Sequence, residues 1–371
     1  MRFRYFLLLP LFLLPSFAAA ANLEVSGWMP YWRAATSTAS ATAHLSQLTE
    51  VNPFGYTVTS EGKLKDLMHV DEEPWKSFMA SAKAQKVRVV PTIMWSDGAA
   101  MHRILGDYTM RGALEDEIKA LVEARGYDGI DIDFEGKWYE TRDNYSTFLK
   151  GLQMRFPTKW VMCTIEARTP LTSRYEGTPA EGAGQYANDY VAINKYCDRV
   201  RIMAYDQGSI DVQLNKAANQ APYVPVADVR WVEKAMVEAL KVIPARKLSI
   251  GVATYGYEYT VTPLSESGFR YSKLWALNPK YAYDLMAEQA VSVVRNSAGE
   301  LSFTYVPTTT EYADPTVGPP RGAVLGIGAV NPSTTVYTPP SIALSNGTYN
   351  IVWWSDAKAI ARTTEDSSTE A

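Results

Sequence analysis

Short apolar runs bounded by turn residues alternate along the chain with stretches whose apolar positions recur every three to four residues. The runs Leu23–Trp28, Val51–Thr57, Val87–Ile93, Gly129–Phe134, Trp160–Ile165, Arg199–Ala204 and Leu248–Val252 predict strands. Trp75–Gln85, Arg111–Arg125, Asn144–Phe156, Asp189–Tyr196 and Val229–Val242 predict helices between them. Strand followed by helix, in repeated order, predicts an α/β fold with a parallel sheet. Seven such units in succession point to a (β/α)8 barrel of the TIM type rather than an open sheet. In such barrels the reactive groups gather at the C-terminal ends of the strands.

After Val252 the pattern changes. From about Glu258 to Tyr349 the chain is rich in Thr, Pro, Gly and Ser. Within it Tyr281–Arg295 predicts a helix and Asn296 to Gly299 a turn. Leu301–Val306 and Tyr349–Trp354 predict a hairpin, with Asp314–Pro340 as its long loop. The whole reads as a small insertion, at about 258–350, after the seventh barrel strand. Gly326-Ile327-Gly328 lacks the strand–turn–helix setting that phosphate binding requires.

The first residues have a different character. Arg2 and Arg4 precede the apolar run Phe6–Phe17, and Ala18 to Ala21 supply small residues for cleavage. This is the pattern of a secretory signal peptide over residues 1–20, leaving 21–371 as the barrel. Pro10 and Pro15 break a run already short for a membrane span. The chain is therefore expected to be secreted, or periplasmic and cell-envelope located, with no stable membrane span after cleavage.

Composition adds exclusions. With 371 residues, 47% of them hydrophobic and 20% charged, the chain is globular. Its 36 basic and 40 acidic residues exert no general pull on nucleic acid. Ten Trp and 23 Tyr fit either carbohydrate stacking or a large core. Cys163 lies inside a predicted strand and Cys197 just before the next; two buried thiols are expected rather than a bridge. His44, His69 and His102 show no ligand spacing, so neither a zinc site nor a His-based triad is expected. No cofactor and no metal are expected, and the chain is expected to be a monomer.

The run Tyr127-Asp128-Gly129-Ile130-Asp131-Ile132-Asp133-Phe134-Glu135 carries the chemistry. Side chains of a strand alternate between faces. Asp131, Asp133 and Glu135 therefore share one face, pointing to the barrel axis, and Ile130, Ile132 and Phe134 share the other. Neighbouring carboxylates lie roughly 6.7 Å apart along the strand. Buried so close together they cannot all ionise cheaply, so at least one pKa should rise. A carboxylic acid that keeps its proton near neutral pH can act as a general acid. Glu135 emerges at the C-terminal rim. An exposed polar strand and a divalent-cation site are the other readings of the same residues.

This run resembles the DxxDxDxE signature of glycoside hydrolase family 18, complete in Asp128, Asp131, Asp133 and Glu135. Three further segments resemble that family's strands in order: Gly27 to Trp32 the first, Met203 to Gln207 the sixth, and Gly251 to Tyr257 the seventh. The chain is most similar to the spore-cortex and germination branch, whose insertion also ends in a strand like Val352-Trp353-Trp354-Ser355-Asp356. The resemblance implies retaining hydrolysis by substrate assistance, without an enzyme nucleophile. Glu135 would protonate the glycosidic oxygen, and the substrate's own 2-acetamido oxygen would attack the anomeric carbon. Asp133 would orient the acetamido group, Asp131 would tune Asp133 from below, and Tyr205 would hydrogen-bond the acetamido oxygen. Asp206 would contact the sugar or the acid. Glu135 would then serve as base for the incoming water. The implied substrate is a polysaccharide bearing N-acetylglucosamine, chitin or peptidoglycan, between which the sequence does not choose.

The remaining expected substrate contacts are Asp128, Trp28, Tyr31, Met203, Gln207, Tyr255, Trp353 and Trp354. Trp28, Tyr31, Trp32, Tyr255 and Tyr257 fit rim packing equally well, and Glu166 with Arg168 reads as a rim ion pair. Asn144 and Asn346 begin glycosylation sequons that turn chemistry explains better. Family members close the barrel with an eighth strand whose Trp floors the cleavage subsite. Here either the eighth strand is missing, the favoured expectation, or Ile351–Trp354 is that strand and Trp353 or Trp354 is the floor. A missing strand would suit a non-catalytic or truncated glycan-binding protein on the same barrel. A carboxylate–metal barrel enzyme is the third hypothesis; retention of Glu135 favours the hydrolase.

Overall fold

The structure is a computed structural model that describes residues 23–219, 221–265, 268–307, 323–324 and 347–369. The predicted signal peptide, Gly326 to Gly328 and Asn346 lie outside the described residues.

Seven parallel strands follow one another around a curved sheet in chain order: β1 (Ser26–Pro30), β2 (Glu50–Val58), β3 (Thr92–Trp95), β4 (Gly129–Phe134), β5 (Trp160–Glu166), β6 (Arg199–Met203) and β7 (Leu248–Gly251). Two short strands, Leu64–Asp66 and Arg88–Val89, pair with β2 beside this path. The predicted run Val87–Ile93 is thus two pieces, parted by Val90 and Pro91, where Pro91 has no N–H to give a ladder. Helices return the chain between strands. Tyr108–Arg125 begins at Asp107, whose carboxylate accepts from Met110 N, and stops at Gly126, whose φ of 64° is left-handed. Its buried Leu114, Ile118 and Val122 join the core with Phe148, Leu149 and Leu152 of Arg142–Arg155. No helix among the described residues is long and apolar enough to cross a membrane.

Among the described residues β1 and β7 each have a ladder partner on one side only. Their edges approach through side chains: a Cβ added at Gly251 of β7 would lie 3.4 Å from Trp28 of β1. Arg199, at the start of β6, pairs with Glu24 before β1 at 2.9 Å. The sheet is an incomplete (β/α)8 barrel.

Among the described residues the segment after β7 does not complete it. β8 (Gly256–Pro263), β9 (Phe269–Leu277), β10 (Leu301–Tyr305) and β11 (Tyr349–Trp354) form a separate antiparallel sheet, β11 lying between β8 and β10. The expected pairing of Leu301–Val306 with Tyr349–Trp354 is there; the hairpin of β8 with β9 was not expected. The helix is Pro279–Glu288, capped by Asn278, rather than Tyr281–Arg295. Trp353 and Trp354 belong to this second sheet, which corrects their reading as a barrel floor. Trp353 is buried, its Nε1 donating to Glu300 Oε2 at 2.6 Å. Trp354 is enclosed by Tyr283 and Phe303. Neither offers a ring face to a sugar.

Cys163 of β5 and Cys197, just before β6, form a disulfide with Cα atoms 6.0 Å apart. The expectation of two free thiols is overturned. Residues 34 apart in sequence become neighbours because β5 and β6 pair in parallel, Cys163 standing opposite Val200.

Candidate active site

All six residues of β4 are buried, which its place between β3 and β5 requires. Ile130, Ile132 and Phe134 pack outward into the helical layer, Phe134 stacking on Phe148 at 5.4 Å. The acids point inward, and the three behave differently.

Asp131 is fully buried and surrounded by donors. It accepts from Thr92 Oγ1 at 2.8 Å, Thr164 Oγ1 at 2.9 Å, Arg201 Nη1 at 3.0 Å and Trp28 Nε1 at 3.3 Å. Arg201 also pairs with Glu50, and Glu50 with Arg88 Nε at 3.2 Å. A buried ionic chain thus crosses the barrel beneath the acidic strand. Sequence reasoning missed Glu50 and Arg201; the signal was a charge at an inward position of strands otherwise apolar.

Asp133, one step toward the mouth, is 2% exposed, and its Oδ1 has no hydrogen-bond partner. Burial first, then the charges of Glu135 and Asp131, hold its carboxyl well above the usual range. Glu135 follows the strand's end, its backbone N–H donating to Trp95 O at 2.8 Å, and is partly exposed. Burial and then the nearby Glu166 raise its pKa, with Lys137 opposing. Lys137 donates to Phe134 O and lies 4.7 Å from the Tyr145 ring centre; burial lowers its pKa. The expected rise thus falls on Asp133 and Glu135.

Tyr205 stands over this group, edge-on to Trp28 at 6.4 Å and to Tyr255 at 6.1 Å. It comes that close to β7 because Gly251 has no side chain: a Cβ there would meet Tyr205 Cε1 at 2.8 Å. Burial, then the charges of Asp133 and Asp206, push its hydroxyl well above the ordinary tyrosine range, so it stays a donor. Asp206 next to it has a left-handed φ of 59° and accepts from Tyr255 OH at 2.7 Å and Tyr257 OH at 2.5 Å. Met203 reaches the same mouth, level with Glu166 and Gly251 in the ladder. Tyr31 sits half-buried after β1, edge-on to Trp32 at 5.0 Å.

Two expected contacts lie elsewhere. Asp128 precedes β4 at the opposite end from Glu135, and its carboxylate accepts from Val89 N at 2.9 Å. Gln207 is buried, donating to Tyr223 OH at 3.0 Å and accepting from Asp228 N at 2.8 Å. Both brace backbone; neither faces the mouth. Glu166 and Arg168 do not form the expected ion pair either. Glu166 accepts from Asn188 Nδ2 at 2.5 Å, while Arg168 lies over the rings of Tyr186 and Tyr190.

The mouth thus holds one acid with a raised pKa, a second such acid below it and a phenol donor above. The family model for glycosyl hydrolases family 18 matches residues 27–362, and the chain belongs to that family. Among similar curated proteins are YvbX of Bacillus subtilis, described as an uncharacterized glycosylase, and the cortical fragment-lytic enzyme of the same organism. The first is 26% identical over 57% of this chain and 55% of its own length. The second is 27% identical over 54% of this chain and 42% of its own length. The chain thus spans about half the length of these relatives. Similar solved structures include the spore cortex-lytic enzyme SleL of Bacillus cereus, with a TM-score of 0.64 and 18% identity over 93% of this chain and 68% of that one. A class V chitinase of Pseudomonas fluorescens Pf-5 gives 0.65 and 20% over 92% and 90%. At such identities the structural likeness is one of fold.

Proposed function

We propose that this member of family 18 is an exported hydrolase of β-1,4-linked N-acetylglucosamine glycans, chitin or peptidoglycan, working by retaining, substrate-assisted acid/base catalysis. The observation that carries the reading is the graded acidic strand: Asp131 is supplied with four donors, Asp133 keeps a buried oxygen without one, and Glu135, its pKa raised by burial, stands at the mouth. Glu135 gives its proton to the glycosidic oxygen. The substrate's acetamido N–H donates to Asp133, filling the acceptor left open, while its oxygen attacks the anomeric carbon and receives the Tyr205 hydroxyl bond. Water then opens the oxazolinium with Glu135 as base. Export is supported by the leader pattern of residues 1–20 and by the Cys163–Cys197 disulfide, since such bonds persist in oxidising compartments.

The test is release of reducing ends from chito-oligosaccharides and from purified peptidoglycan, wild type against Glu135→Gln. Wild-type turnover that the substitution removes is the expected result. Equal turnover by both would sink the mechanism, and glycan binding without turnover by the wild type would make the chain a binding protein.

A further inference from the structure

Resting on that glycan-cleaving reading, we propose that the cavity beside the acidic strand is a subsite for a carboxylate-bearing substituent of the sugar. The cavity encloses about 330 Å³ and is lined among others by Lys137, Glu166, Arg168, Arg174, Asn188 and Trp231. That volume lies at the small end of ligand sites and has room for one ring or a short acyl group rather than a run of sugars. It borders the reaction centre directly, for Lys137 follows Glu135 by two residues and the charge of Glu166 acts on Glu135.

The cavity's charges do not cancel. Lys137 is offset by Glu166, Asp133 and Glu135, but Arg168 and Arg174 are not: among the described residues neither arginine is joined to a carboxylate in an ion pair. Arg168 is fixed over Tyr186 at 3.8 Å and Tyr190 at 3.9 Å, and its Nη2 donates to Asn188 O at 2.7 Å. Its Nε is left without a partner. Arg174 Nη1 donates to the Tyr186 hydroxyl at 3.2 Å. Both guanidinium groups are thus positioned before any ligand arrives, and guanidinium suits carboxylate.

Asn188 adds an independent sign. It is 8% exposed, and with Nδ2 committed to Glu166 its Oδ1 is buried without a donor. Buried acceptors rarely stay unpaired. The occupant therefore brings a negative group for the arginines, an N–H or O–H for Asn188, and a short aliphatic part for Trp231 and Ile210. A plain N-acetylglucosamine ring has the donor but no charge. The same ring carrying a lactyl ether has the donor, the methyl group and the carboxylate.

The experiment is calorimetric titration of the full chain carrying Glu135→Gln. The ligands are a tetrasaccharide alternating N-acetylglucosamine with its 3-O-lactyl derivative, and the same tetrasaccharide with its carboxylates amidated. The carboxylate form should bind at least about tenfold tighter, and Arg168→Met or Arg174→Met should bring the preference below about threefold. Arg174 is partly exposed, so its substitution probes the site even where loss of Arg168 disturbs the loop. Equal binding of the two ligands, no binding of either, or a preference that survives both substitutions would overturn the proposal. Selective binding by a chain whose wild type cleaves nothing would leave the subsite standing and remove the hydrolase reading. Cleavage of chito-oligosaccharides without any carboxylate preference would do the reverse.

Discussion

Both sheets of this molecule bury carboxyl groups, and they treat them in opposite ways. In the second sheet Glu258 accepts from Trp275 Nε1 and Asn350 Nδ2, each at 2.9 Å, and from Tyr305 OH. Glu300 accepts from Val226 N at 2.9 Å, Ala227 N at 3.0 Å and Trp353 Nε1 at 2.6 Å. Each is fully buried and each is surrounded by fixed donors. In the barrel Asp131 and Glu50 are treated so. Asp133 and Glu135 sit above Asp131 with their carboxyls unmatched. Buried polar groups are normally satisfied, and an exception marks a place where something else is meant to bind or react. The second sheet uses its acids to hold strands and the Val226–Ala227 loop together; on the proposed reading the barrel keeps two of its acids for a ligand.

The largest effect should come from breaking the unmatched side of that contrast. Glu135→Gln removes the proton donor while leaving the shape, and turnover should fall about 10²–10⁴-fold, the usual worth of a general acid. Glycan affinity, followed by calorimetry, should stay close to wild type. A variant that retains more than a tenth of wild-type turnover would move the acid elsewhere. Next comes the matched side. Arg201 is 3% exposed and serves two buried carboxylates, Asp131 and Glu50. Arg201→Met leaves Asp131 without its cation and Glu50 with Arg88 alone, and should cost about 3–5 kcal/mol in denaturant unfolding. Arg125→Met, which breaks the exposed surface pair with Asp71, should cost far less. Similar losses in the two variants would mean that the ionic chain under the site does not stabilise the barrel.

What the sequence could show follows from which interactions are local. The bounds of β4 match the expected Gly129–Phe134 because strand alternation alone sorts Ile130, Ile132 and Phe134 from the acids. The family signature in the same run led to the fold before any contact was known. The hairpin of β8 and β9 escaped because the Pro, Gly and Ser around it make the stretch read as loop; only the packed structure shows Tyr257, Tyr259 and Val261 turned into the core. Gln207 and Trp353 lie in segments that resemble the family's, yet their side chains are aimed by Tyr223, Asp228 and Glu300, none of them close in sequence to both. The Cys163–Cys197 bridge, Arg201 beneath Asp131 and Asn188 against Glu166 are likewise products of strand neighbours and loop returns, which no local pattern encodes.

A smaller effect separates the two sheets by pH. Burial raises Glu258 and Glu300 from the ordinary 4.5 to about 7. The folded chain then holds these protons more tightly than the unfolded one. The stability gained is complete below about 4.5 and is lost as pH rises through about 7, at about 1 kcal/mol per pH unit for each group inside that window. Glu300→Gln should flatten this fall by one group's share, measured as the difference in urea-unfolding free energy between pH 5 and pH 8. The slope is the readout, because the glutamine amide also meets backbone donors and lowers stability at every pH. An unchanged slope would mean that Glu300 keeps its charge in the folded chain across this range, matched by its three donors as fully as water would match it.

The smallest effect concerns Asp128, which the signature groups with Glu135 and the fold sets at the other end of β4. Its carboxylate accepts from Val89 N and so ties the start of β4 to the strand Arg88–Val89. Asp128→Ala leaves that backbone donor partly buried and should cost about 1–2 kcal/mol. Turnover at a temperature where the variant is folded should stay within about twofold of wild type, because at about 3.3 Å per residue the side chain lies some 20 Å from the mouth. Asp128→Asn, whose amide oxygen can still accept, should recover most of the stability. If Asp128→Ala instead lost turnover as Glu135→Gln does while its melting transition stayed in place, the two ends of the strand would be coupled through the ionic chain of Asp131, Arg201 and Glu50, and the division between a bracing end and a reacting end of β4 would have to be abandoned.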